Sequence, residues 1–231
     1  MRGYRFNVDA LLVADFALNS ARRPRGRAPL VCDLGAGSGI VGLVILRALP
    51  GSRVTAVELQ PRLAEIARRN LSHNALSDRG EVVELDLASP QSKRRLVGAR
   101  YDWVVSNPPY QAIGRGMTNP DAEMAIARHE LRLPLARLCE ETRRILKPAG
   151  QAALIYPAAR SAELIGATSA VGLAPVRMRS LHPRVGAPAT RVLMLCEKGA
   201  PTGRLEIMAP FYEHELGGAP TSELRRVGGD S

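Results

Sequence analysis

Two short segments of the chain combine residue types that could perform chemistry. Residues 33–39 read Asp-Leu-Gly-Ala-Gly-Ser-Gly, and residues 106–110 read Ser-Asn-Pro-Pro-Tyr. Glycines let a backbone approach a ligand closely, and a helix that starts after them offers unpaired N–H donors. Asparagine and backbone oxygens accept hydrogen bonds from an amine, and a tyrosine ring stacks on planar groups. The segments therefore predict a ligand-binding loop and a second loop that holds a planar nitrogen compound.

Acidic residues accompany the glycine segment at positions that suit a nucleoside ligand. Glu58 lies 19 residues after Gly39 at the end of the next predicted strand, where a carboxylate can accept both ribose hydroxyls. Asp33 can meet an ammonium group, and Asp86, after a third strand, can bond an adenine amine. These acids favour S-adenosylmethionine over a dinucleotide, although residues 37–42 also fit the pattern G-x-G-x-x-G.

Segment 106–110 follows a predicted strand and is expected in the ligand crevice of a parallel sheet. The Asn107 side-chain oxygen and the Pro108 carbonyl could accept the two hydrogens of an exocyclic amine or an amide while its nitrogen attacks a methyl group. Tyr110 could stack on the planar substrate, such as a base flipped out of RNA. The expected chemistry is in-line methyl transfer, with Asn107, Pro108, Pro109 and Tyr110 as the catalytic residues.

Hydrophobic periodicity predicts the elements that position both segments. Strands are expected at residues 30–34, 53–58, 81–85, 101–106, 151–156, 175–181 and 190–197, and helices at 7–18, 39–49, 61–70, 123–146 and 161–171. This alternation predicts an α/β fold with a Rossmann-like, doubly wound sheet of seven strands, mostly parallel with an antiparallel C-terminal strand. We expect one domain, in which an N-terminal helix and basic connector (1–28) precede the core (29–200) and a C-terminal extension (201–231).

Composition excludes several classes of protein and favours one kind of partner. No apolar run reaches the roughly 18 residues that span a bilayer, and no secretory signal precedes Asp9, so we expect a cytoplasmic protein. Cys32, Cys139 and Cys196 are too few and too dispersed for a disulfide framework or a metal site, and we expect buried thiols. The net charge of +10, almost all from arginine, favours a polyanion such as nucleic acid.

At residues 33–39 and 106–110 the chain resembles the class I S-adenosylmethionine-dependent methyltransferases of the amino-methylating branch, which carry an Asn-Pro-Pro-Tyr signature. Within that branch it is similar to the bacterial tRNA1(Val) adenine-N6 methyltransferase group. The similarity runs from about Tyr4 to about Leu224, including residues 5–12, 125–130 and 191–194. It implies methylation of the N6 amine of an adenosine in tRNA, with S-adenosylmethionine as cofactor and no metal.

The resemblance also implies roles for individual residues. The implied cofactor-binding residues are Asp33, Gly35, Gly37, Gly39, Glu58, Asp86 and Asn107. The expected substrate contacts are Tyr110, Arg115, Arg128, Arg184 and Arg191. Gln111 departs from the family, because an aromatic residue often follows the tyrosine there. The role of His129 and the oligomeric state stay open.

Other functions remain compatible with the same loop. Glutamine methyltransferases of translation release factors hold an amide in the same way, but they usually carry an N-terminal helical domain that the roughly 30 residues before the first strand do not accommodate. An adenine-N6 methyltransferase of ribosomal RNA or DNA is a further alternative, and a DNA enzyme normally needs its own recognition domain. A non-catalytic RNA-binding or cofactor-sensing protein should have lost an acid or the asparagine, and none is lost.

Overall fold

Short runs of β-branched and other apolar residues form the strands of one sheet. The computed structural model describes residues 8–98, 100–108, 134–201 and 203–229. The strands are β1 (Leu30–Leu34), β2 (Arg53–Glu58), β3 (Gly80–Glu84), β4 (Tyr101–Ser106), β5 (Leu146–Pro157), β6 (Leu173–His182), β7 (Arg191–Lys198), β8 (Glu206–Ile207) and β9 (Phe211–Tyr212). The helices are α1 (Asp9–Ser20), α2 (Ile40–Ala48), α3 (Pro61–His73), α4 (Ser92–Arg95), α5 (Leu135–Ile145), α6 (Ser161–Ala170) and α7 (Ser222–Gly228), with a 3-10 turn at Ala158–Arg160.

The sheet has the order β3-β2-β1-β4-β5-β7-β6-β8, and β9 also pairs with β6. Strands β1 to β5 are parallel, and β7 is antiparallel to both β5 and β6. Because β7 is antiparallel to both of its neighbours, β6 runs in the same direction as β1 to β5. The prediction of a doubly wound, Rossmann-like α/β sheet with one antiparallel strand is confirmed.

The described part of the sheet has nine strands, two more than the sequence predicts. The additional strands, β8 and β9, contain two residues each and lie in the C-terminal extension. A strand of two residues is too short to show an alternating pattern, and both add to the outer side of β6. The helix predicted at 123–146 is described only from Leu135 onward.

Alternate residues of the central strands face two separate apolar layers. Trp103 and Val105 of β4 pack into the layer that holds Leu12 of α1 and Ile45 of α2. Val104 packs on the opposite face, in the layer formed with α5 and α6. This alternation buries the sheet between helices on both faces, as βαβ connections require.

Charged side chains fasten the basic connector to the start of β4. Both oxygens of Asp102 accept hydrogen bonds from Arg27 at 2.6 Å, and Asp102 also accepts from the Leu30 backbone N–H at 2.8 Å and Lys147 Nζ at 3.1 Å. Burial alone would raise the pKa of Asp102, but these donors outweigh it and lower the pKa below its usual value. The connector therefore has a fixed path to β1.

The three cysteines are buried free thiols, as predicted. Burial raises the pKa of Cys139 and Cys196 to about 12 and raises that of Cys32 as well. These thiols therefore stay protonated and behave as small apolar side chains. Within the described ranges, we find no helix long and apolar enough to cross a membrane.

Candidate functional site

The loop between β1 and α2 adopts a backbone conformation that requires glycine. Gly35, Gly37 and Gly39 have φ values of +74°, +56° and +80°. A Cβ built on Gly35 or Gly37 would meet nothing within 4 Å, whereas one on Gly39 would lie 3.1 Å from the Ala67 side chain of α3. Gly39 therefore allows close helix packing, while the backbone at Gly35 and Gly37 borders open space that a ligand can enter.

Neighbouring elements hold this glycine loop in place through hydrogen bonds. The Val57 carbonyl of β2 accepts from the N–H groups of Gly35 and Ala36 at 2.9 and 3.0 Å. Asn70 of α3 donates its side-chain N–H to the Ser38 carbonyl at 2.9 Å. Sequence reasoning did not identify Asn70, because a single amide on a helix gives no signal until the packing of that helix is known. The loop is thus shaped before any ligand arrives.

Glu58 at the end of β2 lies against the same loop and is only 4% exposed. Its Oε2 accepts from the Gly37 N–H and its Oε1 from the Gln60 N–H, each at 2.8 Å. A carboxylate oxygen can accept more than one hydrogen bond, so both oxygens retain capacity for the ribose hydroxyls predicted from the sequence. The structure adds a second role, since Glu58 also fixes the loop that borders the ligand space.

Asp33 in β1 is 1% exposed, and neither of its carboxylate oxygens has a regular hydrogen-bond partner. Burial raises its pKa to about 7; the nearby Gly42 N–H lowers it, and the negative charge of Glu58 raises it further. A buried carboxylate without a partner is rare and costly in a folded protein. The ammonium group of S-adenosylmethionine would supply the missing partner, so the residues present fit this cofactor.

Asp86 follows β3 and is half-buried. Its Oδ1 accepts from the Ala88 N–H at 2.8 Å, which closes a turn and fixes the side chain. This bond gives Asp86 a local structural role and leaves its other oxygen to serve the adenine amine predicted for it. The two roles are compatible because they use different oxygens.

Asn107 and Pro108 follow β4 and are both half-buried. The preceding residue, Ser106, is fully buried, and its hydroxyl donates to the Leu34 carbonyl at 2.6 Å. This bond ties the start of the segment 106–110 to the end of β1, directly before the glycine loop. Pro109 and Tyr110 lie outside the described residues.

The sheet brings these predicted residues to one place. Strands β1, β2, β3 and β4 are parallel, so they end at one edge, which we call the carboxyl edge. Strand β1 lies between β2 and β4, and the order of the strands along the chain reverses there, which makes this the point where ligands bind in doubly wound sheets. The residues gathered there are Asp33, Gly35, Gly37, Gly39, Glu58, Asp86 and Asn107.

The predicted substrate arginines are placed differently from one another. Arg184 is exposed in the loop after β6, which also ends at the carboxyl edge. Arg191 is only 15% exposed at its side chain and forms ion pairs with Asp9 of α1 and Glu213 after β9. The structure thus favours an internal structural role for Arg191 over the RNA contact predicted from the sequence. Arg115, Arg128 and His129 lie outside the described residues.

Comparison with known proteins identifies the family. A family model described as the methyltransferase small domain matches residues 10–159. The chain belongs to this family. Membership supports S-adenosylmethionine as the methyl donor, in agreement with the geometry at Asp33 and the glycine loop. Of the residues described, no three His, Cys, Asp or Glu side chains form a group that could hold a metal ion.

Individual relatives extend the match beyond that domain. The chain is 33% identical to the tRNA1(Val) (adenine(37)-N6)-methyltransferase of Porphyromonas gingivalis over 161 residues, which cover 69% of this chain and 61% of that protein. The chain thus matches less than two thirds of the length of that relative. It is 32% identical over 206 residues to the enzyme of the same name from Aeromonas salmonicida, covering 89% of this chain and 83% of that protein.

A shorter match and a solved structure complete the comparison. A release factor glutamine methyltransferase from Chlorobaculum tepidum is 38% identical over 104 residues, which cover 45% of this chain and 32% of that protein. The crystal structure of a protein described as a predicted O-methyltransferase from Agrobacterium tumefaciens superimposes with a TM-score of 0.74 at 28% identity. That superposition covers 96% of this chain and 95% of the other, so the whole fold is shared.

Proposed function

We propose that this protein transfers a methyl group from S-adenosylmethionine to the N6 amine of an adenosine in tRNA. The observation that carries the proposal is the unpaired, buried Asp33 carboxylate beside an open glycine loop, one strand away from Asn107. Two relatives that match 69% and 89% of this chain both bear the name of a tRNA adenine-N6 methyltransferase. A single methyltransferase domain would hold both the cofactor and the base at the carboxyl edge.

The cofactor half of the proposal assigns one task to each residue. When bound, S-adenosylmethionine supplies an electrophilic methyl group on a positively charged sulfur. Asp33 would pair with the ammonium group, Glu58 would accept from the ribose hydroxyls, and Asp86 would accept from the adenine amine. Gly35 and Gly37 permit close approach because no side chain occupies the space beside them.

The acceptor half depends on hydrogen-bond acceptors rather than on a strong base. The lone pair of an exocyclic adenine nitrogen is delocalised into the ring, so the nitrogen must become tetrahedral to attack. Asn107 and the Pro108 carbonyl accept its two hydrogens and hold it in that geometry, and the fixed φ of proline keeps the acceptors aimed. The nitrogen would take the methyl carbon as the bond from that carbon to sulfur breaks, with S-adenosylhomocysteine as the leaving group, and would then lose one proton to solvent. Pro109 and Tyr110, outside the described residues, complete the segment by rigidity and stacking.

Charge supports RNA as the substrate. The net charge of +10 favours a polyanion, and Arg184 presents an exposed guanidinium at the carboxyl edge. Tyr110, Arg115 and Arg128 remain part of the proposed substrate contacts on the strength of the sequence. We place the reaction in the cytoplasm, where tRNA is modified.

A release factor glutamine is the second candidate substrate, since Asn107 and Pro108 would hold an amide nitrogen equally well. The match to the glutamine methyltransferase favours it, but that match covers 45% of this chain, against 89% for the Aeromonas salmonicida tRNA enzyme. Ribosomal RNA is a third substrate that the same geometry would accept. The proposal therefore ranks tRNA first.

The test supplies all three substrates in parallel. Purified protein with labelled S-adenosylmethionine is incubated with unmodified tRNA, ribosomal RNA or a release factor, and products are identified by mass analysis of nucleosides and peptides. N6-methyladenosine from tRNA supports the proposal. Label in a glutamine of the release factor, or in ribosomal RNA, and none in tRNA would show that tRNA is not the substrate.

Changing Asn107 to alanine tests the acceptor role. Asn107→Ala should retain cofactor binding, because Asp33, Glu58 and Asp86 keep the main contacts assigned to the cofactor. It should lose turnover by roughly 10²- to 10³-fold, the usual cost of removing one oriented hydrogen-bonding group from a reaction site. Asn19→Ala, at the end of α1 and away from the carboxyl edge, is the matched control. Full activity of Asn107→Ala would exclude the assigned role.

A further inference from the structure

The carboxyl edge carries a second built feature, at the end of the sheet away from the glycine loop. Strands β6 and β9 are parallel and both end there, so the segments 183–187 and 213–220 project from the same edge. The Val185 N–H donates to the His214 carbonyl at 3.1 Å and joins the two segments. We call these two segments together the rim.

Hydrogen bonds fix the shape of the rim. A carbonyl oxygen only accepts, so His182 Nδ1 donates to the Ala187 carbonyl at 2.7 Å and His214 Nδ1 donates to the Pro183 carbonyl at 3.0 Å. The Glu215 N–H donates to the Ala219 carbonyl at 2.8 Å and closes the turn. The rim therefore needs little ordering before it meets a partner, which lowers the entropic cost of binding.

Leu216 lies at the tip of this turn and is 79% exposed. A single exposed leucine is ordinary on a protein surface, so the exposure by itself indicates nothing. Its surroundings are informative, because Arg184 and Arg225 are both exposed on or beside the rim. Arg225 donates to the Pro220 carbonyl of the rim at 2.6 Å, and neither arginine forms a salt bridge with a described residue. Glu215 is the exposed acid of the turn, so the exposed charges around Leu216 sum to a positive value.

We propose that the rim docks the folded RNA that carries the target base, with Leu216 packed against an unpaired nucleobase and Arg184 paired with a backbone phosphate. This inference rests on the proposed tRNA methylation. Three strand spacings separate β6 from β4, about 14 Å in all, so the rim meets nucleotides outside the methyl-transfer site. RNA loops expose bases and phosphates together, which suits an apolar tip beside cations.

The test compares two rim variants with matched controls in steady-state methylation of unmodified tRNA. Leu216→Ser should raise the KM for tRNA about tenfold, the effect of losing the burial of one leucine side chain. The turnover at saturating tRNA and the KM for S-adenosylmethionine should not change, and Leu216→Met should behave as wild type. Ile207→Ser is the control, since Ile207 is 65% exposed but lies in β8, where it pairs with Met178 in the middle of β6 rather than with the end of β6 that leads into the rim.

The phosphate contact has its own readout. Arg184→Ala should reduce the slope of log affinity against log salt by about 0.7 to 0.9, as expected for one lost phosphate contact. Arg204→Ala, an exposed cation next to β8, should leave the slope unchanged.

The outcomes separate the two proposals. If wild type methylates tRNA and Leu216→Ser has the same KM as Ile207→Ser, the docking role is overturned and tRNA methylation stands. If the rim variants Leu216→Ser and Arg184→Ala and the controls Ile207→Ser and Arg204→Ala all raise the KM equally, the effect is not specific to the rim and the docking role is again overturned. If wild type methylates a release factor and not tRNA, both proposals fail.

Discussion

Buried charge is unpaired in one half of the carboxyl edge, beside the glycine loop, and paired in the other half, at and beyond β7. Beside the glycine loop, the Asp33 carboxylate is buried without a regular hydrogen-bond partner. At the start of β7, Arg191 is shared between the carboxylates of Asp9 and Glu213. An unpaired buried charge costs free energy, whereas a charge lost from a pair leaves its partner uncompensated. In the half beside the glycine loop, which we call the cofactor half, the charge of Asp33 therefore has no countercharge until a ligand binds. In the half at and beyond β7, the protein itself supplies the countercharges of Arg191.

Removing the shared cation should produce the largest effect. Arg191→Met retains most of the side-chain volume but leaves two largely buried carboxylates without that cation, and it should lower the free energy of unfolding by about 3 kcal/mol or more. Cofactor affinity should change little, because the pairs lie several strands from the glycine loop. Urea denaturation and calorimetric titration with S-adenosylhomocysteine measure the two quantities.

The matched control is the exposed pair between Arg226 and Asp15, which also joins α1 to the C-terminal extension. Arg226→Met should cost less than about 1 kcal/mol, as surface ion pairs do. Equal losses in the two variants would show that burial does not distinguish the pairs, and the contrast between the two halves of the edge would disappear.

In the cofactor half, neutralising the buried charge by Asp33→Asn should stabilise the protein. The folded-state pKa of Asp33 is about 7, against an ordinary value of 3.8, so the folded protein binds this proton more tightly than the unfolded chain. Stability therefore falls as pH rises from about 4 to 7, and ionised Asp33 costs about 4 kcal/mol above that range. Asp33→Asn removes this cost but leaves unpaired amide hydrogens worth about 1 to 3 kcal/mol, for a net gain of about 2 kcal/mol at pH 8. The gain should vanish near pH 5.

Asp33→Asn should weaken cofactor binding even though it stabilises the protein. The ammonium group pairs with ionised Asp33, so wild-type affinity should fall as pH decreases from 8 to 6. Asp33→Asn should bind more weakly at pH 8 and should not show this decrease. Thermal melting and calorimetric titration at several pH values test both effects. A variant that binds as tightly as wild type while being more stable would show that Asp33 does not contact the cofactor.

The same contrast explains which features the sequence predicts. The glycine loop follows β1, and Glu58 ends the next strand 19 residues after Gly39, so spacing alone places them together. The strands and helices of the core follow from periodicity, with boundaries that shift by a few residues. Even in this half, the contact of Asn70 with the loop depends on how α3 packs, so the local amino-acid sequence does not predict it.

The half beyond β7 depends on contacts between distant parts of the chain. Arg191 and Asp9 are 182 residues apart, and no local pattern predicts that they meet. In a chain so rich in arginine, the sequence does not distinguish an arginine that pairs internally from one that contacts RNA, so it predicts a substrate contact for Arg191 and does not reveal the ion pairs. The short strands β8 and β9 likewise owe their existence to the exposed edge of β6.

The smallest expected effect is on turnover, and it should distinguish two buried serines, Ser106 and Ser52, that lie at opposite edges of the sheet. Ser106 and Ser52 are both fully buried, and their hydroxyls donate to backbone carbonyls at 2.6 and 2.7 Å. Either alanine variant should lose about 1 kcal/mol of stability. Ser106 connects β4 to β1 at the carboxyl edge, whereas Ser52 precedes β2 at the opposite edge.

Turnover should separate these two variants even though stability does not. Loss of the Ser106 bond frees the start of the segment that contains Asn107, and a small displacement of the amine acceptors should lower kcat about tenfold. Cofactor affinity should stay at the wild-type value, because the glycine loop keeps its bonds to Val57, Glu58 and Asn70. Ser52→Ala should turn over as wild type does. Equal kcat values for both variants would mean that the acceptor segment is positioned without the bridge to β1, and the acceptor segment and the glycine loop would then be independent of each other.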